Sequence, residues 1–397
     1  MKQSLKSIPA WNADRHLNRT VKAMPPSGIR KFFDLVSEMD GAISLGVGEP
    51  DFVTPWHVRE ACIYSLESGN THYTSNKGMP ELREVICNQA RCDMGLDYDS
   101  EEQILITTGV SEAVDLAFRA TLNPGDEAIV PEPCYVAYTP DIILTGGVPK
   151  TVPTCLEDEF RLQPEGVAAA VTEKTRALLL SYPNNPTGAI MTRSDLEDLA
   201  DVVVENDLLV ISDEVYAKLT YSDSHVSFAQ LEGMQERTVI LNGLSKSHAM
   251  TGWRVGYVLG DPALVGAMTK VHQYTMLCAP TMAQVAALEA MQKGEEEMLH
   301  MRHEYDLRRR MFVSGLNRIG LDCFEPKGAF YAFPSVKAWG LSSEEFAERL
   351  LREQKVAVVP GNVFGPSGEG FLRCSYATSR EELIEALDRT ETFLASL

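Results

Sequence analysis

The residues best placed to do chemistry fall at the ends of five short apolar runs. Stretches 103–108, 127–130, 177–181, 208–212 and 239–242 are strand-like, each bounded by turn residues. The first ends in Thr107-Thr108-Gly109-Val110-Ser111 and passes into a helical pattern. Free backbone N–H groups, a hydroxyl and a positive dipole end would suit a phosphate there. An ordinary helix start after a glycine turn reads the same way. The next ends carry Pro133-Cys134-Tyr135, then Tyr182-Pro183-Asn184-Asn185-Pro186-Thr187-Gly188, then Ser212-Asp213-Glu214-Val215-Tyr216. The last runs into Leu244-Ser245-Lys246-Ser247-His248, with Thr251-Gly252-Trp253-Arg254 close behind. Taken singly, Asn-Pro-Thr-Gly is a common turn, Asp213 a plausible helix cap and Lys246 a solvated loop lysine.

Their shared position carries more weight than any one of them. Strands alternating with helical periodicity indicate an α/β fold with a parallel sheet, and such sheets bind ligands beyond the carboxyl ends of their strands. Ser194 with Glu197 three residues on reads as a capping box opening a helix over 195–204, and Ser111 as the cap of a helix over 112–121. Beyond about residue 285 the pattern changes to α+β: a charged helical stretch at 295–319, strand-like AFYAFPSV, a helix opened near Ser343, VAVVPG, FLRCSYA and a closing helix. The expected organisation is a large domain at 48–285, with 1–47 and 286–397 forming an N-terminal arm, carrying one helix at 29–37, and a smaller domain. A chain of 397 residues exceeds the roughly 100–200 of one typical domain, which agrees with two.

Composition narrows the classes of partner. The 36 basic and 56 acidic side chains give a net charge of −20, so the overall field repels phosphate backbones and anionic membranes. No window approaches the ~18 apolar residues of a membrane span, and the N-terminus lacks the apolar core of a leader. Eight cysteines with no C-x-x-C pair and no matching histidine spacing argue against a metal site and fit a reducing compartment. The expectation is a folded cytoplasmic protein binding neither nucleic acid nor membrane nor metal, in which any anion is held by a local cluster of donors.

SYPNNPTG, ISDEVY and LSKSHAMTGWRVGY, in this order and spacing, resemble the class I/II aminotransferases of pyridoxal 5′-phosphate (PLP) fold type I. The resemblance also takes in GVGEPDF, HYTSNKGMPELRE, KGAFYAFP, VAVVPGNVFG and FLRCSYA, and so nearly the whole chain. It implies the fold: a large domain with a mostly parallel central sheet flanked by helices, plus a smaller α+β domain. It implies that Lys246 forms the Schiff base with the cofactor aldehyde and, once released, carries the α-proton. Asp213 would keep the pyridine nitrogen protonated. Tyr216 and Asn185 would donate to the ring's phenolic oxygen, and Tyr135 would stack on its face. Gly109, Val110, Ser111, Ser245 and Arg254 would hold the phosphate, with Tyr73 reaching it from the other subunit of a homodimer. Arg373 would grip the substrate α-carboxylate as a bidentate fork, assisted by Gly48 and Asn185.

The implied reaction moves an amino group from an L-amino acid to a 2-oxo acid such as 2-oxoglutarate, in two half-reactions. Bacterial aspartate-specific relatives commonly carry a lysine for the distal carboxylate where this chain has Ser111, and PPSGIRKFFDL looks more like members assigned to aromatic amino acids. The expected donor is therefore aromatic or otherwise neutral, with Lys77 or Arg30 the alternative sources of a distal cation. Aspartate aminotransferase and a C–S β-lyase of the same fold are the competing enzymatic readings. A dinucleotide oxidoreductase is disfavoured because Gly46-Val47-Gly48 lacks a third glycine. A non-catalytic regulator on this fold would need an added DNA-binding module, for which the N-terminal region leaves no room.

Overall fold

A computed structural model describes residues 11–26, 28, 39, 41–221 and 224–397. The helix expected at 29–37, and Arg30 with it, lie outside the described residues.

Seven strands build the main sheet: β2 (Ile104–Thr107), β3 (Glu127–Glu132), β4 (Val148–Pro153), β5 (Thr175–Ser181), β6 (Leu209–Asp213), β7 (Thr238–Gly243) and β8 (Gly256–Leu259). Their order is β2-β8-β7-β6-β5-β3-β4. All neighbours are parallel except β8, which runs antiparallel between β2 and β7. The inner strands are nearly continuous apolar runs because both faces are covered. Along β2, Leu105 packs into a core shared with Val114, whereas Ile104 and Ile106 point the other way into a core shared with Leu82 and Ala283. Val210 and Ile211 of β6 divide in the same manner.

Two strands of this sheet escaped the sequence reading. β4 (VPKTVP) carries two prolines and buries only Val152 well, the composition of an edge strand. β8 is four residues long and follows directly on a motif that reads as loop.

The helix expected at 195–204 covers Arg193–Glu205, and its capping box is formed by Thr192 and Asp195, not Ser194 and Glu197. Thr192 is extended (φ −81°, ψ 166°), which frees its hydroxyl to accept from the Asp195 N–H, while Ser194 lies inside the helix. The helix expected at 112–121 covers Val110–Thr121 and is capped by Gly109, not Ser111. Gly109 adopts φ +78°, in the region open to glycine, and this turns the strand end directly into the helix.

A second group of elements gathers around a separate aromatic core. β1 (Ile43–Ser44) pairs with β10 (Val356–Ala357), while β11 (Val359–Pro360), β12 (Leu372–Ser375) and β9 (Tyr331–Ala332) form an antiparallel sheet. The helices Glu295–Arg318, Ser343–Gln354 and Arg380–Leu394 cover them, burying Tyr305, Phe312, Phe330, Phe346 and Phe393. Among the described residues no helix is long and apolar enough to cross a membrane, and no three His, Cys, Asp or Glu side chains cluster as a metal site.

Candidate active site

The carboxyl ends of β2, β3, β5, β6 and β7 open onto one cavity of about 380 Å³, closed from the opposite side by Gly48, Tyr331 of β9 and Arg373 of β12. That volume is within the range of small-ligand sites. Val110, Ser111, Tyr135, Asn185, Asp213, Tyr216, Ser245, Lys246 and Arg254 all line it. The chain thus brings together residues up to 325 positions apart, from Gly48 to Arg373.

Asp213 terminates β6 in full burial. Its Oδ2 accepts from the Tyr138 hydroxyl at 2.7 Å and its Oδ1 from the Val215 N–H at 3.2 Å. Tyr138 Oη lies 2.8 Å from Ser181 Oγ, so a chain of neutral groups stands behind the carboxylate. Burial pushes the Asp213 carboxyl up to about 6, against the downward pull of Tyr138, Val215 and Lys246.

Lys246 donates to the Gly48 carbonyl at 2.6 Å. Desolvation brings its amine down to about 8; Arg373 and Arg254 push the same way, while Glu49 and Asp213 oppose. Tyr216 Oη and Tyr331 Oη are 2.8 Å apart, and burial raises both hydroxyls above the ordinary tyrosine value.

Arg373 is 2% exposed, donates to Asn185 Oδ1 at 3.1 Å and to the Gly46 carbonyl at 2.6 Å, and leaves its Nε without a partner. Its guanidinium lies over the rings of Tyr331 and Phe364, 4.7 and 4.9 Å from their centroids. Among the described residues it forms no ion pair. Burying an uncompensated charge costs several kcal/mol, so the position suits a ligand carboxylate.

At the opposite end Arg254 donates to the Thr251 carbonyl at 3.0 Å. A Cβ on Gly109 would lie 2.5 Å from Arg254 Nη2. Glycine therefore lets the guanidinium approach the start of the Val110–Thr121 helix, where first-turn amides and the dipole already favour an anion. With Ser245 alongside, this end fits a phosphate, while the buried carboxylate of Asp213 fits a protonated ring nitrogen. The donor set accommodates pyridoxal phosphate.

Three of the described residues given roles from the sequence do not line the cavity within the chain: Tyr73, Lys77 and Gly109, the last of which directly precedes Val110. Tyr73 is 80% exposed. Lys77 Nζ donates to the Glu101 carbonyl at 2.5 Å and lies 3.5 Å from Glu102, directed away from the site. Conversely, Val114, Tyr138, Val215, Thr251 and Tyr331 line the cavity and were given no role from the sequence. For Tyr331 a signal existed, since it sits inside KGAFYAFP; Tyr138 follows Tyr135 by three positions and opens the helix Tyr138–Leu144.

Residues 40–389 match the model of the family described as aminotransferase class I and II. The chain is 46% identical over 372 residues to the aspartate aminotransferase of Pyrococcus abyssi, covering 93% of this chain and 96% of that one. It is 45% identical to the aromatic-amino-acid aminotransferase 2 of Thermococcus litoralis, covering 95% and 98%. Among solved structures, the aspartate aminotransferase of Thermus thermophilus with maleate superposes with a TM-score of 0.91 at 39% identity, covering 95% of this chain and 99% of that one.

Proposed function

This chain belongs to the class I and II aminotransferases, uses pyridoxal phosphate and exchanges an amino group between an amino acid and a 2-oxo acid; from that premise we propose which residues carry the reaction and which side chains it favours. Bound pyridoxal phosphate supplies an aldehyde that takes up and returns the amino group and a ring that draws off the electrons freed at the substrate Cα. Lys246 is the amine that holds the cofactor covalently. Its depressed basicity lets it give up a proton near pH 8 and then move the α-proton. Asp213 holds a proton on the ring nitrogen. Tyr216 and Asn185 would donate to the ring's phenolic oxygen, and Tyr135 would lie against its face. Gly109, Val110, Ser111, Ser245 and Arg254 hold the phosphate. Arg373 and Asn185, with Gly48, orient the α-carboxylate.

The donor is aromatic or otherwise neutral. One observation carries this preference: the cavity's cations, Lys246, Arg254 and Arg373, are each committed, and Ser111, which lines the same cavity, adds no charge for a distal carboxylate. The relatives, named for aspartate in one case and for aromatic amino acids in the other, are almost equally similar and do not decide the matter. The test compares kcat/KM for phenylalanine, tyrosine, alanine and aspartate against one 2-oxo acid. A tenfold lead for aspartate, about 1.4 kcal/mol, would reverse the assignment.

The functional unit is a homodimer in which Tyr73 reaches the partner's phosphate. The loop at 72–78 is held by Asn76 donating to the Leu277 carbonyl and Thr281 to the His72 carbonyl, each at 2.7 Å, yet Tyr73 stays exposed. Trp56, Tyr64 and Tyr274 are 58, 70 and 86% exposed, surface that pairing would bury. Sedimentation of the holoenzyme tests this, and a fully active monomer would end it. Eight unpaired cysteines support a cytoplasmic location.

A further inference from the structure

An acidic side chain stands where charge alone would not put one. Glu112 lies in the first turn of the Val110–Thr121 helix, whose start faces the anion end of the cavity. A carboxylate so close to a bound dianion repels it, and burial strengthens the repulsion. The geometry gives Glu112 another task. Its Oε2 accepts from the Thr108 N–H at 2.5 Å, and its Oε1 lies 2.6 Å from His272 Nδ1. Both side chains are buried, with 7% of Glu112 and none of His272 exposed. His272 belongs to the helix Pro262–Thr275, its Nε2 has no hydrogen-bond partner, and Glu112 is its side chain's hydrogen-bond partner among the described residues.

Glycine at the N-cap leaves this helix without a side-chain cap. The turn before it closes on itself through Gly109 N–H to the Thr107 carbonyl at 2.9 Å and Thr107 Oγ1 to the Gly109 carbonyl at 3.0 Å. Besides the pairing of Thr107 with Gly256 of β8, Glu112 adds a side-chain link from that turn to the helix Pro262–Thr275. Strand β8 backs the turn so closely that a Cβ on Gly256 would lie 2.7 Å from Val110 N. A small displacement of Thr108 would therefore redirect the amides that face the anion.

We propose that Glu112 and His272 are positioning residues for the cofactor phosphate, clamping the turn 107–110 to the helix Pro262–Thr275 so that the Val110 and Ser111 amides stay aimed at it. The inference rests on the reading that this turn holds the phosphate. Full-length protein freed of cofactor is titrated with pyridoxal phosphate and with pyridoxal, which lacks the phosphate. Glu112→Ala and His272→Ala should weaken pyridoxal phosphate about tenfold, equivalent to roughly 1.4 kcal/mol, and leave pyridoxal affinity unchanged. Glu112→Gln, which keeps an acceptor for Thr108, and His272→Asn, which keeps a donor for Glu112, should each recover part of the loss. Equal weakening of both ligands, or none, overturns the clamp; should the alanine variants not fold, the same ratio in the Gln and Asn variants decides. Arg254→Ala separates the underlying reading. If it leaves the preference for the phosphorylated ligand intact, the phosphate assignment has failed; if it abolishes the preference while the clamp variants keep it, only the clamp has failed.

Discussion

The two buried charges of the cavity are supported in opposite ways. Asp213, at the end of a central strand, is surrounded by donors of its own: Tyr138, backed by Ser181, and the Val215 N–H. Arg373, on a short strand of the small sheet, meets a side-chain amide and one backbone carbonyl, and its Nε goes unmatched. The anion is thus held in place before anything binds, whereas the cation is completed by what binds. That division suits a site in which one ligand stays through the cycle and the other must leave at each half-reaction.

Lys246 feels both ends, since Asp213 raises and Arg373 lowers its proton affinity. Lys246→Ala should have the largest effect, removing covalent attachment and proton transfer together, with turnover down by roughly 10⁴ or more. Borohydride reduction followed by peptide mapping checks the assignment, and label on another lysine would refute it.

Asp213→Ala should lower the rate of the half-reaction by roughly 10³ while cofactor retention falls far less. Rapid-mixing absorbance measurements beside a cofactor titration separate the two quantities. A near-wild-type rate would make Asp213 a structural residue and dissolve the comparison.

Arg373→Ala should act mainly on KM for the amino acid, by about 10², the scale of one buried charged contact of roughly 3 kcal/mol. The same change in kcat with KM unaltered would show that the arginine is not completed by substrate.

The smallest effect is expected of Tyr138→Phe, read through pH. In the cofactor-free protein Asp213 titrates near 6, above the 3.8 of an ordinary aspartate. The folded state therefore binds this proton more tightly than the unfolded state. Its contribution to stability is full below about 4 and is lost as pH rises through the window to about 6. Removing the hydroxyl that favours the anion should extend that loss to higher pH. Thermal unfolding from pH 4 to 8, with Asp213→Asn as the baseline, measures it; an unchanged profile would mean that Tyr138 does not support the carboxylate.

Much of this molecule is legible along the chain. The five core strands stand out because burial on both faces leaves apolar runs, and Asp213 ends its strand while Asn185, Tyr216 and Lys246 follow strand ends within a few residues. Family resemblance supplied the possible role of Arg373, which an isolated arginine would not have suggested. Helix starts were read within a few residues but with the wrong caps, because Ser194 and Ser111 satisfy the composition of a cap and only backbone angles distinguish Thr192 and Gly109.

What folding alone decided is who stands behind the strand ends. Tyr138 meets Asp213 across 75 residues, and His272 meets Glu112 across 160. Tyr331 meets Tyr216 because a short strand from late in the chain closes the cavity. Local sequence determines periodicity, turns and which groups reach a strand's end, since these depend on neighbours a few bonds away. A hydrogen bond between distant elements depends on strand order and on the antiparallel insertion of β8 between β2 and β7. Those are fixed by packing two faces of one sheet at once, so the pairings that tune the site exist only once the whole sheet is assembled.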